Sequence, residues 1–361
     1  MKIAFRADAS TLVGAGHVVR CLALAMEACA RGVRAVFVCR DHVGHLAGYI
    51  QSHGFQVCLL PRHGFPGDEQ DSLADPSEFS QVDDAVETLQ ALKGERIDCV
   101  VVDHYHIDFR WEEIVMRTIP YVSVIDDLAN RSHKCQILID QAFGESYETR
   151  YSCLIPEDCL KLLGPRYALL RAEFHAMRAT SLNRRRGAKL DRLLICMGGG
   201  DPTNEVAKAL AGVCMSNVKL QHIDVVVGQS YSFTKSLLQQ VESSDRRISL
   251  HVSTNRMAEL MMRADLAITS GGGLSWEKCV LGLPSITVVL GGDQHYISLG
   301  IASVGAHILL GMAENVSVED YAKMLNEVKI DQLELISENA RSICDGLGAK
   351  RVLDVIFSEV V

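Results

Sequence analysis

The chain has 361 residues, 48% of them hydrophobic and 22% charged, with a formal net charge of -9. That length exceeds what a single core usually supports, so two domains are expected. The acidic balance, with Arg184-Arg185-Arg186 as the one basic cluster, excludes a phosphate-neutralising nucleic-acid groove, and no run approaches the ~18 apolar residues of a membrane span.

From the N-terminus, short β-branched runs predict strands at Lys2–Arg6, Ala35–Cys39, Gln56–Leu60, Cys99–Asp103, Tyr121–Ile125 and Gln136–Asp140. Between them, Val18–Arg31 and Asp83–Lys93 carry apolar residues at helical spacing. Strand–helix alternation of this kind builds a parallel sheet covered on both faces. The polar stretch Ala179–Leu190 reads as an interdomain connection. A second series follows at Leu193–Met197, Ile223–Val227, Ile248–His251, Leu266–Thr269, Ser285–Leu290 and His307–Leu310. The expectation is an α/β chain of two Rossmann-like domains, at 1–175 and 188–361. Arg351–Val361 reads as an amphipathic helix. The twelve cysteines occur singly with no C-x-x-C pair, as expected of reduced core thiols in a cytoplasmic protein. MKIAFRADAS has no apolar stretch of the signal-peptide kind.

Ligands of such folds bind beyond the carboxyl ends of the strands, and the sequence places glycine-rich turns there. The first, Gly14-Ala15-Gly16-His17, fails the dinucleotide fingerprint because Val19 stands where a third glycine is required. Its glycines instead let the backbone turn sharply and bring His17 to the start of a helix. The positive helix end favours the neutral ring, a proton acceptor, although a structural helix-start histidine fits the same pattern. The second turn, Met197-Gly198-Gly199-Gly200-Asp201, and the third, Gly271-Gly272-Gly273-Leu274-Ser275-Trp276-Glu277, each follow a strand. Glycines with a helix N-terminus behind them suit an anion. Glu277 is placed to accept hydrogen bonds from ribose hydroxyls, or else to complement the helix dipole. Together these point to a nucleoside diphosphate held by the second domain. Asp103, Tyr105, Asp126 and Asp127 follow strands of the first domain and put polar groups at the same edge. Asp126 and Asp127 form an acid–base pair, or one of them caps a turn. His42, His45, His104 and His106 lack a third ligand at metal-site spacing, so no metal is expected.

FRADAS, GAGHVVRCLALA, VVDHYHID, VIDDLANR, LGPRYALLRAEF, MGGGDPTN and ITSGGGLSWEKCVLGLPSI resemble, in order, the nucleotide-sugar hydrolases of pseudaminic acid biosynthesis, relatives of the MurG-like glycosyltransferases. The second-half motifs are shared with those transferases, whereas the first-half motifs are the specific ones. The resemblance implies a GT-B-like fold, with the two domains facing each other across a cleft and the last helix packing back on the first domain. It also implies inverting, metal-independent hydrolysis of a UDP-activated diacetamido-trideoxy-L-altropyranose, with water and the UDP-sugar as the partners and no cofactor. His17 would activate the water, and Arg6 and Asp8 would face the sugar. Glu277 would hold the ribose, Gly271, Gly272, Gly273 and Ser275 the diphosphate, and the Asn255–Met257 loop the uracil region. A UDP-sugar glycosyltransferase, a hydrolysing epimerase and a silent nucleotide-sugar binder are the alternatives.

Overall fold

The computed structural model describes residues 1–11, 13–62, 80–187 and 189–360. The chain divides into two units, Met1–Ala142 with Ser146–Arg171 and Leu347–Val361, and Phe143–Glu145 with Ala172–Gly346. Each is an α/β sandwich on a parallel sheet, as the strand–helix alternation predicts.

The first unit runs β1 (Lys2–Ala7), α1 (Gly16–Ala30), β2 (Arg34–Arg40), α2 (Ala47–Ser52), β3 (Gln56–Leu60), α3 (Gln81–Ala91), β4 (Cys99–Asp103), α4 (Phe109–Val115), β5 (Tyr121–Ile125), β6 (Ile137–Asp140) and β7 (Leu160–Leu163). The sheet order is β3-β2-β1-β4-β5-β6-β7, and every pairing is parallel. Alternate residues serve opposite faces, as the period of two requires. Ile3, Phe5, Phe37 and Val101 join the core under α1, while Ala4, Val36, Val38, Val100 and Val102 join the core that holds Trp111. Strands apolar on both faces are the mark of a covered parallel sheet. β7 has no counterpart in the sequence expectation, because LKLL lacks β-branched residues and the strand is a half-exposed edge.

The second unit runs α5 (Ala172–Arg184), β8 (Arg192–Cys196), α6 (Glu205–Met215), β9 (His222–Val227), α7 (Thr234–Glu242), β10 (Ile248–Val252), α8 (Met257–Arg263), β11 (Leu266–Ser270), α9 (Leu274–Leu281), β12 (Ser285–Val289), α10 (Gly292–Ser303), β13 (Ile308–Met312), α11 (Val318–Glu327) and α12 (Ile330–Ile343). Its sheet order is β10-β9-β8-β11-β12-β13. The last helix, α13 (Gly348–Val360), belongs to the first unit, where Val352, Leu353 and Ile356 share a core with Val18, Leu22 and Ala25 of α1.

The stretch expected to be a linker is instead ordered. The chain passes to the second unit at Ala172, and α5 covers the first half of the polar run, through Arg184. Arg185 is buried and donates to three carbonyls, Leu281 O, Ala264 O and Met261 O, each at 2.9 Å. These lie at the ends of α8 and α9, where a cation satisfies orphan carbonyls and the negative dipole end. Arg184 pairs with Asp265 at 2.6 Å. The basic triplet is thus partly a staple, a role invisible to local polarity. The residue-188 start expected for the second domain, and residue 361, lie outside the described residues. No helix among the described residues is long and apolar enough to cross a membrane.

In both sheets the strand order reverses beside the first strand, between β1 and β4 and between β8 and β11. Such reversals open a crevice at the carboxyl ends of the two strands. In the first unit those strands lead to the His17 loop and Asp103. In the second they lead to the two glycine turns.

Candidate active site

In the first unit the site begins where β1 ends. The chain leaves the sheet after Ala7, and Gly14 takes φ +79° while its N–H bonds Ser10 O at 2.9 Å. That left-handed turn, natural for glycine, releases the backbone into α1 at Gly16 and presents His17 in its first turn. His17 is 6% exposed. Its Nδ1 lies 2.6 Å from Oδ1 of Asp103, at the end of β4. Arg20, one turn along α1, donates Nε to Asp103 Oδ2 at 2.5 Å and Nη2 to Oδ1 at 2.6 Å. Its Nη1 reaches Asp127 Oδ2 at 2.6 Å. Burial alone would push the Asp103 carboxyl up, but Arg20 and His17 hold it well below the usual carboxylate range. An ionised Asp103 accepts, so His17 Nδ1 is the donor of that pair, and Nε2 is the nitrogen that accepts when the ring carries one proton. Among the described residues, no protein group is hydrogen-bonded to Nε2. The Tyr105 ring stands edge-on to the imidazole at 4.4 Å.

Around this centre, buried ion pairs set the strand ends. Arg6 is 0% exposed and spans Asp8 (2.6 and 2.9 Å) and Asp84 (2.7 and 3.1 Å). Its guanidinium is therefore committed to the protein through both carboxylates. Asp8 also accepts the Arg40 backbone N–H at 2.7 Å and His104 Nε2–H at 3.2 Å. Burial brings the His104 ring down to about 4, so it is neutral, with Nδ1 accepting from His106 N at 3.1 Å. Asp126 and Asp127 separate in role. Asp126 is enclosed, caps its own turn through Ala129 N at 3.0 Å, and accepts from Tyr151 OH at 2.8 Å and pairs with Arg131 at 2.8 Å. Asp127 takes Arg20 on one oxygen, and among the described residues its buried Oδ1 has no hydrogen-bond partner. Sequence reasoning passed over Arg20 and Asp140. Arg20 lies at i+3 from His17, a spacing that shares a helix face. Asp140 ends β6 as Asp103 ends β4. Burial, with Asp127 and Asp126 adding to it against Arg150, pushes its carboxyl up to about 7.

In the second unit the two glycine turns differ. After β8, both oxygens of buried Asp201 accept the first amides of α6, Glu205 N and Val206 N, each at 2.8 Å. A protein carboxylate thus occupies the anion position that the sequence suggests for phosphate. Gly199 O accepts Ser230 Oγ at 3.0 Å, and Gly200 follows it in the same turn. After β11, among the described residues, α9 starts without a side-chain cap, and the buried Ser275 Oγ has no hydrogen-bond partner. Gly271 serves packing, since a methyl group there would stand 2.0 Å from Ser298 Oγ of α10. Gln294 accepts its N–H at 3.2 Å. Among the described residues, a methyl group at Gly272 would meet nothing closer than 3.5 Å and one at Gly273 nothing within 4 Å, so the space beside this turn is open, as an anion at a helix start requires. Glu277, in the first turn of α9, is 9% exposed. In the β10–α8 loop Asn255 and Arg256 are exposed, while the Met257 side chain is buried. Ser298 and Gln294 follow the Gly291-Gly292 turn after β12, a strand–glycine–helix pattern that carried the missed signal. Among the described residues, no group of three or more metal-binding side chains comes together.

No family model matches the chain. It is 26% identical over 292 residues to the uncharacterized protein MJ1062 of Methanocaldococcus jannaschii, covering 80% of this chain and 55% of that longer protein. It is 27% identical over 286 residues to the UDP-2,4-diacetamido-2,4,6-trideoxy-beta-L-altropyranose hydrolase of Campylobacter jejuni, covering 78% of this chain and 89% of that one. Among solved structures it is similar to MurG of Acinetobacter baumannii, with a TM-score of 0.68, 15% identity and 99% of each chain covered. The fold is GT-B-like, with two Rossmann-like α/β domains on parallel sheets.

Proposed function

We propose that this chain hydrolyses a UDP-activated diacetamido-trideoxy-L-altropyranose, breaking the anomeric C–O bond with inversion to give the free sugar and UDP. The observation that carries the reading is the His17–Asp103 pair at the strand-order reversal, with Nδ1 held by a carboxylate and Nε2 left to accept a proton. Water bound at Nε2 gives up its proton as its oxygen attacks the anomeric carbon, and Asp103 stabilises the imidazolium that forms. UDP leaves as a stable anion, so no strong acid is required. The uncapped start of α9 with Gly272, Gly273 and Ser275 supplies backbone amides and a hydroxyl for its diphosphate, and Glu277 takes the ribose hydroxyls. The reaction uses no metal, so turnover survives a chelator. The likeness to the Campylobacter hydrolase supports this choice of sugar.

Whole-chain likeness to MurG favours, as a second reading, transfer of the sugar from UDP to an acceptor. Release of UDP in heavy-oxygen water separates the two. Label on the anomeric hydroxyl without an added acceptor establishes hydrolysis, and UDP release only with an acceptor establishes transfer. A product changed at the carbon next to the anomeric centre marks an epimerase, and binding without release marks a silent binder. In the hydrolase, His17→Gln lowers turnover by about 10²-fold or more, and Asp103→Asn by about 10²- to 10⁴-fold, with UDP binding retained in both. Near-normal turnover in His17→Gln removes His17 from the mechanism.

A further inference from the structure

Asp103 serves two partners. The oxygen that takes His17 Nδ1 at 2.6 Å is also the acceptor for Arg20 Nη2 at 2.6 Å, and that Nη2 lies 3.3 Å from the ring nitrogen. With Nδ1 carrying its own hydrogen, the 3.3 Å approach is a juxtaposition of two donors on one oxygen rather than a bond between them. Arg20 Nε holds the other oxygen of Asp103, and Nη1 is tied to Asp127. Arg20, His17 and Asp103 are all buried.

We infer that Arg20 is a positioning residue that keeps His17 a neutral Nδ1–H tautomer by sharing its carboxylate. The inference rests on the hydrolase reading for its catalytic meaning. A buried carboxylate facing only a histidine favours the doubly protonated ring, which has no lone pair at Nε2. Here the carboxylate is already balanced by a guanidinium. A second proton on His17 would place two positive charges side by side in a site shielded from water. Arg20 also fixes the plane of Asp103 through two nitrogens, and Asp127 locks the guanidinium from the loop after β5. The remaining titratable groups around His17 do not replace this balance. Tyr105 meets the ring by its edge. Burial lowers the His106 ring and disfavours its charge. Burial raises the Cys21 thiol, 3.7 Å from Asp103 Oδ2, and so keeps it neutral. The spacing that achieves this is local, since residues three apart on α1 share a face. The carboxylate that makes it meaningful comes from β4.

The test reads His17 directly, by ring-nitrogen NMR of the substrate-free full chain at about pH 7, where a free histidine is mostly neutral. The wild type is expected to show one protonated and one bare nitrogen, and Arg20→Gln two protonated nitrogens. Arg20→Lys, which keeps the charge, retains the wild-type pattern. In turnover, the acid limb of kcat/KM for Arg20→Gln moves up by about one to two pH units. Its rate near neutrality falls about tenfold or more and recovers at higher pH, with KM little changed. A bare nitrogen in Arg20→Gln near neutrality, or a loss of rate equal at every pH, overturns the inference. So does a doubly protonated ring in Arg20→Lys, which decides the matter if Arg20→Gln does not fold. Because the NMR needs no substrate, it separates the two ideas. The expected ring states in a protein that releases no UDP uphold Arg20's role and remove the hydrolase reading.

Discussion

Replacing His133 with Gln examines a buried charged cluster of the first unit, His133 with Glu112 and Asp126. His133 donates Nδ1–H to Glu112 Oε1 at 2.6 Å, and its Nε2 lies 3.8 Å from Asp126 Oδ2, too far for a hydrogen bond but close enough for strong attraction. All three residues are buried. Burial opposes the charge on the ring, yet Asp126 and Glu112 outweigh it and raise the imidazole from 6.5 to about 9. The folded ring therefore keeps a proton that the unfolded chain gives up. Its stabilisation is complete below about pH 6.5 and is lost as the pH rises through about 9. At 1.36 kcal/mol per pKa unit, the difference is worth about 3 kcal/mol. Urea unfolding of the wild type and His133→Gln, in a Trp276→Phe background so that Trp111 alone reports the first unit, measures the gap. It is expected to shrink by about 3 kcal/mol between about pH 6 and pH 10, because the glutamine has no proton to lose. Lysines and tyrosines titrate in both proteins and cancel. A gap that stays constant within about 0.5 kcal/mol across that range refutes the charged-ring account.

Two further outcomes concern the second unit. Gly271→Ala forces a methyl group to 2.0 Å from Ser298 Oγ, at an expected cost of about 1–3 kcal/mol of stability. Adding Ser298→Ala removes that oxygen and recovers much of the loss, and a double-mutant cycle in thermal melts shows no coupling if packing is not the reason for the glycine. Glu277→Gln is expected to weaken UDP binding by about 10- to 100-fold, the worth of hydrogen bonds to a charged acceptor. Unchanged calorimetric affinity for UDP takes Glu277 out of the ribose role.

Much of the fold was readable along the chain. Runs such as KIAF, CVVVD and LAITS are apolar on both faces, and helical spacing between them leaves a parallel sheet as the natural way to bury both. The glycine turns were equally plain, because runs of glycine stand directly after apolar strands, and Gly14 needs a left-handed backbone. The basic triplet misled, since local polarity carries no trace of the carbonyls of α8 and α9 that Arg185 caps. β7 was missed for a related reason: an edge strand needs less of the β-branched signal.

By itself, then, the sequence determined two α/β halves and the glycine-rich turns that follow their strands, because periodicity and turn residues act over a few neighbours. Only the tertiary structure decided which polar groups are spent and which are free. Arg6 is consumed by Asp8 and Asp84, Asp126 by its own turn with Tyr151 and Arg131, and Asp201 by the start of α6. His17, Asp103 and Arg20 meet as one unit. The partners lie up to 86 residues apart, and hydrogen bonds of ~2.5–3 Å depend on strand order and register that no local pattern encodes.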